Sequence, residues 1–376
     1  MGESGVPDLK ILIVDDTVTY RRILTGVVSG FDGVELTGTA PNGRIALRKV
    51  ALNPPDLVLL DAFMPEMDGL QTLEALRRDH PGVDVVMLSG MDHETADLTV
   101  KALEAGALDF IPKPRAAEAA ENLATLRGAL ARLIPVARSH KYARQVHRLW
   151  AAPAPREPAP PSPAPAVPAP PPRPRPTPGR VDVIAIGVST GGPNALQEIV
   201  PRLAADFPAP LLVVQHMPRM FTASLAERLD MASAIRVREG AEGAALRPGV
   251  MHLAPGGRHM VARRNAAGAA VVGLTDSPPV NSCRPAVDVL LRSLSLVFEG
   301  RVLSVILTGM GNDGLAGVTA LARRGGYAIV QDRATSVVWG MPGALVEAGR
   351  ADEVLPLDQI ADRLTQIVSR RRHDPD

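Results

Sequence analysis

The chain has 376 residues, 46% of them hydrophobic and 22% charged, and its formal net charge is +1. This suits two or three globular domains and excludes the strongly basic footprint of a nucleic-acid binder. A lone cysteine, Cys283, excludes an internal disulfide; no Cys/His cluster has zinc spacing, no apolar run reaches membrane-span length, and the first residues lack a signal peptide's basic and apolar regions, so a soluble cytoplasmic protein is expected.

Taken in order, residues 9–135 alternate strand and helix. Short apolar strands are predicted at 9–14, 34–39, 57–60, 84–88 and 109–111, with helices near 19–29, 43–52, 69–78, 94–105 and 117–134. Five such units imply a doubly wound parallel sheet covered on both faces, the flavodoxin-like arrangement, with ligands at the carboxyl ends of the strands. Polar groups fall at those ends: Asp15 and Asp16, Asp61, Ser89 and Lys113. Like charges held so close raise one another's pKa unless a cation neutralises them. Mg²⁺ is the natural candidate, because it takes oxygen ligands from one or two carboxylates and keeps several waters. One carboxylate could then accept a phosphoryl group. The competing explanation is a set of solvated strand-end acids.

After Arg138 the pattern dissolves. Residues 151–180 hold 14 of the chain's 36 prolines, mostly in Ala-Pro repeats, a composition that gives polyproline II and no core. A semi-rigid linker is therefore assigned to 136–180, with a proline-rich SH3-type ligand as its functional alternative.

From 181 the alternation resumes. Strands are expected at 181–187, 210–215, 250–254, 270–274, 301–307 and 327–331, and helices at 193–204, 220–231, 285–297, 314–324 and 357–370. A second doubly wound α/β domain over 181–370 follows. Its first strand runs into Gly187-Val-Ser-Thr-Gly191, with Pro193 in the first turn of the following helix. Ser189 thus lies on a strand-to-helix turn, lifted off the sheet towards unpaired helix N–H groups, and the pattern fits a nucleophile elbow. An ordinary glycine-rich turn with Ser189 as N-cap fits it equally well. A nucleophile needs a base and an orienting acid. His216 ends the next strand and shares the rim with Ser189, whereas His252 lies inside a strand, His259 follows a Gly-Gly turn and His373 sits in the tail. Asp313, just past the strand at 301–307, is the candidate acid. Gly309-Met-Gly-Asn-Asp-Gly314 is also formally a dinucleotide fingerprint, with Asp332 ending the next strand. Against that reading, Asp313 would set a carboxylate where the pyrophosphate should sit.

Two resemblances sharpen this picture. Val14-Asp-Asp16, Leu60-Asp-Ala-Phe-Met-Pro-Glu-Met-Asp-Gly69, Met87-Leu-Ser-Gly90 and Phe110-Ile-Pro-Lys-Pro114 resemble the receiver domain of response regulators, over roughly 8–135. The resemblance implies that a histidine kinase phosphorylates Asp61. Asp16, Asp61 and the Phe63 carbonyl would hold Mg²⁺, with Asp15 acting through water. Lys113 would pair with the phosphoryl group, and Ser89 with Phe110 would form the switch. Gly90 stands where alanine is more usual, a departure expected to loosen the switch loop.

Ile186-Gly-Val-Ser-Thr-Gly-Gly192, Gln215-His-Met-Pro218, Ala254-Pro-Gly-Gly257, Cys283-Arg-Pro-Ala-Val-Asp288 and Thr308-Gly-Met-Gly-Asn-Asp-Gly314 are similar to the catalytic domain of the chemotaxis protein-glutamate methylesterases, the CheB family. The order Ser, His, Asp matches that family and not the α/β-hydrolases. The resemblance implies Ser189 as nucleophile, His216 as base and Asp313 as its partner, with Thr190 lining the site and the Met310 backbone N–H in the oxyanion hole. It implies hydrolysis of glutamyl methyl esters on chemoreceptors at the cytoplasmic side of the membrane, with glutamine deamidation as a second activity of some members. No metal is expected in this domain, no nucleic acid as partner, and a monomer. The receiver would cover the catalytic face until phosphorylated. Val188 and Ala286 depart from the usual small residue and serine. The competing classes are a receiver-linked scaffold without catalysis and a nicotinamide-dependent dehydrogenase.

Overall fold

The computed structural model describes residues 8–114, 119–151 and 179–369; the proline-rich tract at 152–178 and His373 lie outside them. The chain divides into two compact units, one on either side of that tract.

The first unit is a five-stranded parallel sheet. Its strands are β1 (Leu9–Val14), β2 (Val34–Ala40), β3 (Leu57–Asp61), β4 (Asp84–Ser89) and β5 (Asp109–Pro112), in the order β2-β1-β3-β4-β5. The helices are α1 (Val18–Val28), α2 (Gly43–Leu52), α3 (Gly69–Asp79), α4 (His93–Glu104) and α5 (Ala119–Ala151). The inner strands β3 and β4 are buried along their whole length, which is why they read as unbroken apolar runs. Helix starts follow the local chemistry. Asn42 and Asp92 cap α2 and α4, and Asp68 with Gln71 forms a capping box on α3.

One boundary differs from expectation. Helix α5 does not stop at 134 but runs to Ala151, through Pro135. Pro135 removes an N–H from the ladder, and mostly polar residues follow, so no apolar stripe announces the continuation. Contacts with the sheet hold it instead. Val136 and Ala137 are buried, Lys141 pairs with Asp56 at 2.8 Å, and His140 and Arg144 reach Asp84 at 3.2 and 3.3 Å. Residues 136–151, assigned above to the linker, are therefore helical, and 136–144 pack on the first unit.

The second unit is built on a seven-stranded, wholly parallel sheet. In chain order its strands are β6 (Val183–Val188), β7 (Leu211–Gln215), β8 (Arg236–Glu239), β9 (Val250–Leu253), β12 (Val302–Ile306), β13 (Tyr327–Gln331) and β14 (Glu353–Leu355). An antiparallel pair, β10 (His259–Arg264) and β11 (Ala270–Thr275), stands apart as a hairpin. The sheet order is β14-β13-β12-β6-β7-β9-β8. Helices α6 (Gly192–Ile199), α7 (Arg219–Ala232) and α11 (Leu357–Ser369) pack together, and so do α8 (Val287–Val297), α9 (Leu315–Ala322) and α10 (Met341–Glu347). The core joins Val183, Leu212 and Val330 of the sheet to Leu290, Leu291 and Leu294 of α8. The sequence reading missed β8, β14 and α10, which are short, and β10, whose outer half carries exposed arginines.

From β6 the chain proceeds one way across the sheet to β7, then returns on the other side of β6 with β12. The strand order reverses between β6 and β12, which is where open α/β sheets build their sites. Ser189 follows β6, and Asp313 lies beyond the end of β12.

Candidate active site and acidic pocket

The turn after β6 sets Ser189 at the switch point. Gly191, the N-cap of α6, has φ +77°, a left-handed conformation that a side chain resists, and Pro193 enters the helix behind it. The Ser189 carbonyl accepts from Gly192 N at 2.8 Å and from the Gln215 side chain at 2.9 Å, and Ser189 N donates to Thr308 O at 3.0 Å. The backbone of the turn is thus pinned by both neighbouring strands. Gly309 is needed for close approach: a Cβ there would come within 2.7 Å of the Ser189 Cβ. Thr308 ties the loop together by donating through Oγ1 to the carbonyl of the buried Thr190 at 2.9 Å and accepting from Val338 N at 2.9 Å.

His216 is brought to Ser189 by strand register. Val188 of β6 lies opposite Gln215 of β7, and His216 N donates to Val188 O at 3.1 Å. Its ring is nearly enclosed. Nε2 donates to Asp313 Oδ2 at 2.9 Å, and Nδ1 faces Cys283 Sγ at 3.6 Å. Asp313 thus engages Nε2 and leaves Nδ1 to the Cys283 side, and no Ser189–His216 hydrogen bond is formed. Burial opposes the imidazolium, but the hydrogen bonds to Asp313 and Cys283 overcome it and raise the His216 pKa to about 9.

Asp313 is fully buried and accepts hydrogen bonds on both oxygens. Oδ2 takes His216 Nε2 and Val287 N (2.7 Å); Oδ1 takes Asn281 Nδ2 (3.0 Å), Asp288 N (3.1 Å) and Gly314 N (3.0 Å). Burial raises its pKa, yet His216 and the donors at the start of α8 outweigh that and hold it below the ordinary carboxylate value. The Ala286 departure fits this arrangement. As N-cap of α8 it offers no side-chain oxygen, and Asp313 supplies the acceptor from across the site.

The same geometry removes the dinucleotide reading. At the start of α9, Gly314 N and Gly317 N donate to Asp288 Oδ1 at 3.1 and 2.6 Å, so the seat for a pyrophosphate is filled by a carboxylate. Asp332 is occupied with Thr335. His252 and His259 point at backbone carbonyls, Ala245 O and Pro278 O, inside the fold and serve it structurally.

In the first unit, register aligns the other set of groups. Val14 is opposite Leu60, Asp61 opposite Leu88, and Ser89 opposite Pro112, so Asp15, Asp61, Ser89 and Lys113 line one rim. Lys113 Nζ lies 2.8 Å from both Asp15 Oδ2 and Asp61 Oδ1, over the ring of Tyr20 at 4.8 Å. Asp15 and Asp61 are buried while Asp16 is exposed, and the three carboxylates lie within 4.8 Å of one another. Burial, reinforced by Asp15 and Asp16 against the pull of Lys113, raises the Asp61 pKa to about 6. An all-oxygen cluster carrying more negative charge than one lysine neutralises, beside a Tyr20 hydroxyl with no hydrogen-bond partner, is an acidic pocket typical of Mg²⁺ binding. Phe63 follows β3 and is partly exposed; Phe110 lies in β5.

The Ser89 hydroxyl is fully buried and turned to Thr99 Oγ1 at 2.6 Å, and Lys113 N donates to Ser89 O at 2.7 Å. A side chain at Gly90 would be crowded. A Cβ on Gly90 would come 2.9 Å from Asp92 Oδ2 and 3.1 Å from Thr95 Oγ1, on the two side chains that hydrogen-bond through Asp92 Oδ1 at the start of α4.

Three residues that contact His216 or Asp313 had no role in the sequence reading: Asn281, Cys283 and Asp288. Cys283 and Asp288 stood in a quoted motif, but nothing in their spacing announces contact with His216 or Asp313.

Two family models match the chain: the CheB methylesterase model over residues 184–364 and the response regulator receiver domain model over residues 11–124. Over 364 residues the chain is 40% identical to a protein-glutamate methylesterase/protein-glutamine glutaminase of Desulfotalea psychrophila, covering 96% of this chain and 99% of that one. A protein of the same description from Symbiobacterium thermophilum is 42% identical over 361 residues, covering 96% and 97%. Among solved structures, the Thermotoga maritima CheB methylesterase catalytic domain is 42% identical, with 50% of this chain and 99% of that chain covered, at a TM-score of 0.49.

Proposed function

This chain belongs to the CheB methylesterase family and carries a response regulator receiver domain, and from that premise we propose how its residues divide the work. It is a protein-glutamate methylesterase/protein-glutamine glutaminase of chemotaxis. The proposal concerns the residues that act, the domain limits and the partners: a receiver over 8–135 extended by the packed part of α5, and an esterase domain over 181–370.

Ser189 is the nucleophile. Its Oγ attacks the carbonyl carbon of a receptor glutamyl methyl ester as His216 Nδ1 takes the hydroxyl proton. The charge that develops on the carbonyl oxygen is met by backbone donors, the Met310 N–H among them, each worth about 3 kcal/mol of barrier. Thr190 lines the site. His216 then returns the proton to the leaving methoxide, which departs as methanol. Water, deprotonated by the same nitrogen, releases the glutamate and restores Ser189. A glutamine substrate follows the same course with ammonia leaving. Asp313 holds the Nε2–H throughout and so keeps Nδ1 available. The observation that carries this reading is the 2.9 Å His216 Nε2–Asp313 Oδ2 hydrogen bond, on the rim where the Ser189 turn is pinned.

In the receiver, Asp61 accepts the phosphoryl group from the histidine kinase of a chemotaxis system. Mg²⁺, when held by Asp16, Asp61 and the Phe63 carbonyl with Asp15 through water, supplies positive charge against the phosphoryl oxygens. Lys113 pairs with those oxygens, and Ser89 and Phe110 move with them. Phosphorylation thereby releases the esterase to act on methylated chemoreceptors. The test is methanol release from methyl-labelled receptor membranes. Ser189→Ala removes it while the chain stays folded; native rates from that variant would reject the serine mechanism.

A further inference from the structure

We propose that Asn281 and Asp288 are positioning residues of the esterase, holding Asp313 in the one orientation that can receive the His216 Nε2–H. The inference rests on the reading of Asp313 as the partner of His216. A carboxylate turns about its last bond, and an Asp313 that turned would offer its oxygens to the Val287 and Asp288 N–H groups without aiming at His216. What stops it lies on the Oδ1 side. Asn281 donates one amide hydrogen bond to Asp313 Oδ1 and another to Asp288 Oδ2, both at 3.0 Å. One amide group thus bridges two buried carboxylates that would otherwise repel each other.

Asp288 completes the device reciprocally. From the first turn of α8 its Oδ1 accepts from Gly314 N and Gly317 N at the start of α9, while its own backbone N donates to Asp313 Oδ1 at 3.1 Å. Asp313, immediately before α9, accepts in turn from the first two N–H groups of α8. Each acid therefore caps the other's helix, and the spacing of the two helices sets the position of Asp313. Asn281 reaches the pair from a residue with φ +52°, a left-handed backbone that asparagine tolerates better than most side chains. These hydrogen bonds join Asn281, Asp288, Asp313 and helix N–H groups, so the action proposed for them on the reaction runs through Asp313.

Two variants isolate the effect. Asn281→Gly removes the bridging amide and keeps the left-handed backbone favourable. Asp288→Asn keeps the shape of the side chain. Its remaining carbonyl must still face Gly314 and Gly317, so the new amide meets the Asn281 amide donor to donor and turns it away from Asp313. In the full-length chain, each variant should lose about tenfold or more in kcat with KM held within about twofold, and the double variant should be no worse than the poorer single. The low-field proton resonance of His216 Nε2–H should move upfield or exchange away in both. Asn281→Gly carries the test alone should Asp288→Asn not fold. A kcat within about twofold of native in a folded Asn281→Gly, additive losses in the double variant, or an unmoved Nε2–H resonance overturns the proposal. Asp313→Asn run alongside separates the two readings. Native kcat there defeats the Asp313 assignment itself, whereas a slow Asp313→Asn beside a native-rate Asn281→Gly defeats only this inference.

Discussion

The Sγ of Cys283 lies 3.6 Å from His216 Nδ1, on the ring nitrogen that Asp313 leaves free. The only thiol of the chain therefore faces the ring nitrogen that the proposed mechanism assigns to the Ser189 proton. Because the base proposed here, His216, works neutral and its pKa is raised to about 9, methanol release should climb with pH through the neutral range and level off near that value. Cys283→Ala removes one of the partners that raise this pKa. The acid limb should move to lower pH and the rate at pH ~7 should rise. An unchanged limb in a pH–rate profile of the variant would show that the thiol is a bystander. The same raised pKa fixes a sign for stability. The His216 contribution is complete below the unfolded pKa of a histidine and is lost as pH rises through about 9, so the second unit should unfold more easily at alkaline pH.

Asp313 has more to lose than its proposed catalytic role. Both oxygens accept from backbone N–H groups, so the amide of Asp313→Asn must set a donor against a donor whichever way it turns. A cost of about 1–3 kcal/mol is expected, read as a lower Tm of the second unit by calorimetry, in addition to slower methanol release.

Asp61, with its pKa raised to about 6, is partly protonated in mildly acid solution. A raised carboxylate pKa means that stability present below the unfolded pKa is lost as pH rises through about 6, and a bound cation offsets that loss. Mg²⁺ should therefore raise the receiver Tm clearly at pH ~7 and little at pH ~5, and Asp61→Asn should lose both that shift and labelling by a phosphodonor. Equal shifts at the two pH values would place the cation elsewhere.

The end of the receiver can be tested by length. A fragment of residues 8–135 lacks the Lys141–Asp56 and Arg144–Asp84 pairs and the buried Val136 and Ala137, all present in a fragment of residues 8–151. The longer fragment should melt at higher temperature in a circular dichroism scan, and equal melting would make the extension of α5 idle.

If the receiver restrains the esterase, a fragment beginning near Arg180 should release methanol without phosphodonor and faster than the unphosphorylated full chain. Adding a small phosphodonor with Mg²⁺ should bring the full chain up towards the fragment and leave the fragment unchanged. A fragment no faster than the resting full chain would mean that phosphorylation activates instead of relieving inhibition.

Most of the architecture was legible because it is local. The buried runs at Leu57–Asp61 and Val183–Val188 and the helical spacing between strands identify parallel α/β sheets, and such sheets necessarily bring their strand ends to one rim. That grouped Asp15, Asp61 and Lys113, which meet at 2.8 Å, and set Ser189 and His216 at the ends of adjacent strands. The continuation of α5 was not legible, because Pro135 and the polar residues after it hide a helix held by ion pairs to Asp56 and Asp84. Nor was the inner wiring of the esterase site. Which nitrogen of His216 meets Asp313, 97 residues away, and which meets Cys283 is a matter of ring orientation between packed loops. The bridging of Asp288 and Asp313 by Asn281 depends on two helix N-termini being brought face to face by the sheet beneath them. Periodicity records which face of an element is buried; it carries no information about the rotamer of a polar side chain, which only the assembled neighbours decide.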